Sequence, residues 1–396
     1  MKTLKIISFF LLGFIIASCS GVKIVNVKNI KTLKRAPLVF SLPKTVLRFE
    51  VEATKTIIKK GPFHPYADQL LGIKNAALAD KQSWDISNIK ITSFPKADAN
   101  QTYAVISAKN ILPNLISLSS QGVLMGVNVA SSERKSNDVD IVDYQQGKDK
   151  KTVQYSDLTV QKNVHEKVDT VFKGKGIDTL FVKIPTLQKQ VQQRTLGDQA
   201  KEAADQLLKV RKSRYLLMAG KNDDEADGKE TKIFDTHAVE VMANELVKLE
   251  EQYLSLFIGQ TVQDVYRFTF EYTPSDSTDI SRIPLFNFSE QDGVLDANAA
   301  KGQVVYLELS ETGPNTSLAE LVNDKLIYSK IKNSFYYRVP EEALVKVIKG
   351  RSQTIASKKM LIAQYGHVLP LPASLLKNKT LKIDFYPETG MLKSIR

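Results

Sequence analysis

Cysteine is nearly absent from the chain: position 19 holds the single thiol among 396 residues. A lone cysteine has no intrachain partner, so no disulfide framework supports the fold, and thiol catalysis is excluded from everything after it. Tryptophan is equally scarce, with Trp84 alone, which argues against a sugar-stacking carbohydrate enzyme. The four histidines, His64, His165, His237 and His367, lie far apart in sequence. HEKVD at 165–169 begins like a zinc helix, yet Asp169 stands where the second histidine is needed, and Val164, Val168 and Val171 favour a strand. No GxSxG nucleophile elbow and no Walker phosphate loop occurs. Lys173-Gly174-Lys175-Gly176 lacks a third glycine and reads as a basic turn. A long apolar run is missing as well. The best candidate, Ile111 to Ala130, is broken by Pro113, Asn114, Gly122, Gly126 and several serines, so nothing there offers the ~18 apolar residues of a membrane-spanning helix.

What is present starts with MKTLKIISFFLLGFIIASCSG. Lys2 and Lys5 supply a positive start, Ile6 to Ala17 an apolar run broken by Ser8 and Gly13, and Ala17 and Ser18 a small-residue site before Cys19. That order predicts a secretory signal peptide over residues 1–18, too short to span a bilayer. Ile16-Ala17-Ser18-Cys19 resembles the bacterial lipobox, in which the cysteine becomes the lipidated first residue. Lipidation of Cys19 therefore explains why the one thiol stands there.

Positive charge gathers beside the expected anchor. Of the formal net charge of +12, residues 22–60 hold ten basic side chains against only Glu50 and Glu52. Lys23, Lys28, Lys31, Lys34 and Arg35 form a basic collar over a tether at 19–35. It reads either as a membrane-surface patch, where each cation near anionic headgroups contributes about 1 kcal/mol, or as a merely solvated tether. A nucleic-acid binder would carry such charge on a folded surface with interleaved aromatics, so nucleic acid is not an expected partner.

Period-two patterning dominates residues 36–185. Leu47, Phe49 and Val51 alternate with Arg48, Glu50 and Glu52, and similar alternation recurs at Ile89-Lys90-Ile91 and before Pro185. Helical spacing follows over 186–260: Leu196, Ala200, Ala203 and Leu207, then Met242, Leu246, Leu249, Tyr253 and Leu256. Strand patterns return over 261–396 and end on a hairpin whose turn is Pro387-Glu388-Thr389-Gly390. The expected fold class is α+β, two β-rich regions flanking a central antiparallel helical hairpin.

The ordered set LVFSLPKTVLRFEVE, KKGPFHPYADQLLG, DTLFVKIP, SRYLLMAGKND, LEEQYLSLFIGQT, FNFSEQDGVLD and DFYPETGMLKSI resembles a family of uncharacterised Bacteroidetes-type outer-membrane lipoproteins, defined as a domain-of-unknown-function family. The resemblance implies an exported α+β protein and no assigned reaction, cofactor or catalytic residue. It also implies a leaflet. Surface-exposed lipoproteins of such bacteria carry acidic residues after the cysteine, whereas Ser20, Gly21, Val22 and Lys23 follow it here, which favours the periplasmic face.

Two patterns of acidic residues remain. In NDDEADGKETKIF, Asp223, Glu225, Asp227 and Gly228 fit the start of a calcium loop, but Phe234 occupies the position of the bidentate glutamate, so a solvated acidic turn is the expected reading. Asp138, Asp140 and Asp143, or Asp292 and Asp296, could pair as the carboxylates of a glycoside hydrolase, a mechanism that asks only for two at a set separation. The expectation is a non-enzymatic binding or assembly module of the cell envelope, held by its lipid to the outer membrane, facing the periplasm, with an envelope protein as partner and no cofactor. The alternative is a periplasmic carboxylate-dependent hydrolase acting on glycans.

Overall fold

The computed structural model describes residues 23–30, 37–106, 116–129, 164–177, 180–219, 236–275, 282–312, 334–372, 375 and 380–396. Alternation over Leu38–Lys59 produces one long strand, β2, preceded by β1 (Lys23–Asn26) and followed by β3 (Lys81–Ile106). Successive side chains of a strand point to opposite faces. Leu47, Phe49, Val51 and Ala53 are accordingly fully buried, while Arg48, Glu50 and Glu52 between them are only half-buried. β8 (Gln260–Tyr272) completes a sheet of order β1-β3-β2-β8. Arg48 pairs with Glu271 at 2.7 Å and Arg267 with Glu52 at 2.9 Å. Such partly exposed pairs are worth about 1 kcal/mol or less, so the buried face sets the register and the charges only support it.

β4 (Ile116–Leu118), β5 (Leu124–Val127), β14 (Ile383–Phe385) and β15 (Leu392–Ile395) form a second sheet of order β15-β14-β5-β4. A third has the order β10-β9-β11-β12-β13, from β9 (Ile283–Ser289), β10 (Gly293–Leu295), β11 (Gln303–Glu311), β12 (Ser334–Lys349) and β13 (Gln353–Pro372). β6 (Val164–Ile177) and β7 (Leu180–Gln193) make a two-stranded ribbon. Lys173 to Gly176, expected as a turn, lie within β6 and pair with Ile184 to Phe181.

Helices are fewer. GPFHPYADQLLG folds into a 3-10 turn at His64–Tyr66 and a short helix α1 (Ala67–Leu71), closed by Gly72 in the left-handed conformation. α2 (Leu196–Met218) begins where it does because Thr195 and Asp198 form a capping box. The Thr195 hydroxyl accepts the Asp198 amide and the Asp198 carboxylate accepts the Thr195 amide, both at 3.2 Å. This arrangement satisfies two otherwise unpaired helix N–H groups. Ala200, Ala203 and Ala204 present a small-residue face that lets Leu256 and Phe257 of α3 (Thr236–Ile258) approach closely. Arg211 and Arg214 both reach Glu250 across the pair, at 2.8 and 2.7 Å.

The expected class, two β-rich regions flanking a central antiparallel helical hairpin, is overturned. Among the described residues, strand accounts for more than half and helix for less than a quarter. Strands from before and after the helices share sheets: β8 belongs with β1, β3 and β2, and β14 pairs with β5. The fold is β-rich, with its strands interleaved in sequence. The physical reason is that alternation reveals which face a strand buries and nothing about the strand lying next to it. The segment expected as a tether also contains structure, since Lys23–Asn26 pairs antiparallel with Tyr103–Ile106.

Two compact units result. One comprises Met1–Ala53, Ile86–Gln145 and Tyr266–Arg396; the other comprises Thr54–Asp85 and Gln146–Val265. The core of the first gathers Phe40, Leu42, Tyr103, Val105, Leu124, Val127, Phe335, Ile383 and Phe385. The core of the second gathers Phe63, Ala67, Ala200, Ala203, Ala204, Leu256 and Phe257.

Candidate functional site

The site sits on the third sheet, within the first unit. Val305, Leu307 and Leu309 of β11 are buried on one face, so Val304, Tyr306 and Glu308 stand half-buried on the other. Register carries that second face onto β12, where Tyr306 is opposite Ile348 and Glu308 opposite Lys346. Arg282, one residue before β9, and Arg351, in the turn after β12, rise at the margins. A cavity of about 630 Å³ opens between them, lined by Arg282, Gln303, Val304, Tyr306, Gly350 and Arg351.

Charge in the cleft is unbalanced. Arg282 Nε lies 3.4 Å from Glu308 Oε2 and Lys346 Nζ 4.0 Å from the other carboxylate oxygen. Arg282 Nη1 also donates to the Arg351 carbonyl at 2.9 Å, tying the two margins together. Glu308 and Lys346 lie outside the cavity lining, and the Arg351 guanidinium, which lines it, has no ion-pair partner among the described residues. The Gly350 amide donates to the Val304 carbonyl at 2.9 Å and holds the turn against β11.

A second polar cluster in the same unit is a brace. Asp98 and Arg338 form an ion pair in which both residues are almost fully buried. Asp98 Oδ1 additionally accepts the Asn100 amide at 2.9 Å, and the Arg338 amide donates to the Gly390 carbonyl at 2.9 Å. Beside them Tyr103 stacks on Tyr336 with ring centroids 4.5 Å apart and on Phe40 at 5.5 Å. Burial first, then the neighbouring Tyr336 phenol, pushes the Tyr103 hydroxyl from 10.0 up to about 12. Between those values the native chain keeps a proton that the unfolded chain has released. The corresponding stability is present below pH 10 and is lost as pH rises through about 12. Tyr272 is raised by burial in the same direction. Tyr103→Phe is therefore expected to flatten, without abolishing, the fall in melting temperature on alkaline titration. An unchanged slope would assign that fall to other groups.

The residues singled out from sequence scatter. Cys19, the acidic loop of Asp223, Glu225 and Asp227, the acids Asp138, Asp140 and Asp143, and the collar residues Lys31, Lys34 and Arg35 all lie outside the described residues. Lys23 starts β1, and Lys28 donates to Asn100 Oδ1 at 2.8 Å from a 3-10 turn, so these two cations belong to the folded sheet region. Asp292 accepts from the Ser289 hydroxyl at 3.3 Å and Asp296 from the Asn298 amide at 2.9 Å, each serving its own turn. His64 contacts the Gly61 carbonyl at 3.0 Å, His367 lies 3.7 Å from Glu341, His237 is exposed on α3 and His165 is in β6. Among the described residues no three His, Cys, Asp or Glu side chains come together as a metal cluster.

No catalytic or binding motif in the sequence marks the cleft residues Arg282, Gln303, Tyr306 and Arg351. A signal existed: Gly350-Arg351 separates two long alternating runs, the hairpin punctuation of β12 and β13. A family described as Domain of unknown function (DUF4831) matches residues 37–168 and 186–393. The chain belongs to the DUF4831 family. Neither a curated protein nor a solved structure matches it. Every residue lining the cleft, and both members of the Asp98–Arg338 brace, fall within the DUF4831 segments.

Proposed function

We propose that this DUF4831 chain is an outer-membrane lipoprotein of the Bacteroidetes type, anchored through Cys19 and facing the periplasm, and that it acts there as a non-enzymatic binding or assembly module. The observation that carries the binding reading is the composition of the cleft. Its lining offers two guanidinium groups, an amide and a phenol, all hydrogen-bond donors, and no carboxylate. Glycan hydrolysis by a general acid and a second carboxylate asks for two acids flanking one space, about 5–9.5 Å apart. Glu342, outside the cleft lining, is held below its ordinary value by hydrogen bonds from the Thr312 hydroxyl and from Lys359. That direction is opposite to the one a general acid requires. The anchoring reading rests on the lipobox-like stretch, since several acyl chains at about 0.8 kcal/mol per buried CH₂ hold a protein on a bilayer.

The anchor is tested in cells. Cys19→Ala is expected to abolish fatty-acid labelling and to move the protein from the membrane pellet to the soluble fraction. Protease should spare the wild-type protein on intact cells and degrade it after permeabilisation. Persistent labelling of the variant would overturn the anchor, and cleavage on intact cells would overturn the periplasmic orientation.

A further inference from the structure

The cleft also states what kind of ligand it takes. We propose that it binds a small oxyanion, the carboxylate or phosphate group of a sugar-sized molecule, gripped between Arg351 and Arg282. This deepens the binding-module reading and rests on it.

Three features of the cleft support an anion. Arg282 and Lys346 share the carboxylate of Glu308, and Arg351 lines the cavity with no carboxylate among its lining residues, so these four side chains together carry a net charge of +2. The guanidinium of Arg282 is held in place, by Glu308 at 3.4 Å and by the Arg351 carbonyl at 2.9 Å, so little side-chain freedom remains to be lost on binding. Arg351 is exposed, lines the same cavity and has no ion-pair partner among the described residues. A guanidinium presents a planar fork that meets a carboxylate or phosphate through two parallel hydrogen bonds.

The remaining lining sets the size and polarity of the ligand. Gln303 and Tyr306 add an amide and a phenol that can bond to hydroxyl groups, and Val304 and Gly350 give a floor without bulk. A volume of about 630 Å³ lies within the roughly 300–1,000 Å³ of small-molecule sites. The cleft opens to solvent, so the attraction is screened by salt over about 8 Å at physiological ionic strength.

The test uses the purified full chain, with calorimetric titration of glucuronate and inorganic phosphate and with neutral glucose as the control of equal ring size. Glucuronate or phosphate should bind, glucose should not, and affinity should fall as salt rises. Arg351→Gln should weaken anion binding roughly tenfold or more with an unchanged melting curve, because the side chain is exposed. Lys90→Gln, a surface cation on β3, should leave binding unaltered. Tighter binding of glucuronate would point to a carboxylated sugar, and tighter binding of phosphate to a phosphorylated one. Equal affinity for glucose, or full affinity in Arg351→Gln, would overturn the site. Hydrolysis of glycans by the purified chain would instead overturn the non-enzymatic reading while leaving the anion measurements in place.

Discussion

An Asp98→Ala chain is expected to lose about 3–5 kcal/mol of folding stability, the typical cost of leaving one member of a buried ion pair alone. Asp98 and Arg338 are 4% and 3% exposed, so water cannot replace the missing partner. The same substitution removes the acceptor for the Asn100 amide, two residues further along β3. The loss should appear in the unfolding transition of the unit that contains both residues, read by guanidinium denaturation with hydrogen exchange on β3 and β12. Combining Asp98→Ala with Arg338→Met should recover most of it, because replacing both charges by apolar groups is often neutral. A single-variant loss below about 1 kcal/mol would mean that the pair behaves as a solvated surface bridge. Failure of the double variant to recover would show that the packing around Arg338, and not its charge, carries the effect.

Gly366→Ala should be nearly as damaging for a steric reason. β12 and β13 lose register between Val339, opposite His367, and Glu341, opposite Ile362, so β13 spends four residues where β12 spends one. Gly366 lies in that irregularity, and a methyl group built there would stand 1.7 Å from the Val339 carbonyl oxygen. No rotamer relieves a contact with backbone, so the two strands must separate. The same stretch contains Gln364, whose side chain accepts the Thr45 amide at 2.8 Å and donates to the Thr45 carbonyl at 2.8 Å. Displacing it would strand buried polar groups on both sides. A loss of about 3 kcal/mol is expected, seen as a fall in melting temperature of at least roughly 6 °C. A wild-type melting curve would show that the irregularity relaxes without cost.

Much of the strand content was legible because burial on one face leaves a period of two: Leu47, Phe49 and Val51 are read directly and are fully buried. The helices were equally visible in the spacing of Leu196, Ala200, Ala203 and Leu207 and of Met242, Leu246, Leu249, Tyr253 and Leu256, which lie in Leu196–Met218 and Thr236–Ile258. Pairing was not legible. Thr45 and Gln364 form a reciprocal clamp from positions 319 apart, and no local pattern announces it. The cleft was hidden for a related reason. Arg282, Tyr306 and Arg351 are unremarkable singly, and only the antiparallel register of β9, β11 and β12 brings them to one face. The Asp98–Arg338 brace escaped notice because charged residues are almost never fully buried unless paired, and the partner is 240 positions away.

Interleaved strand order has a consequence for the birth of the molecule. Residues 38–106 emerge from the ribosome long before 260–272, so β2 waits without the neighbour that β8 will supply. β5 waits longer still for β14, near the opposite end of the chain. Pairings this distant are slow to form, and an unpaired strand is a template for association with other chains. The nascent polypeptide therefore presents unpaired strand edges, to which its copies can add, until its last strands have emerged.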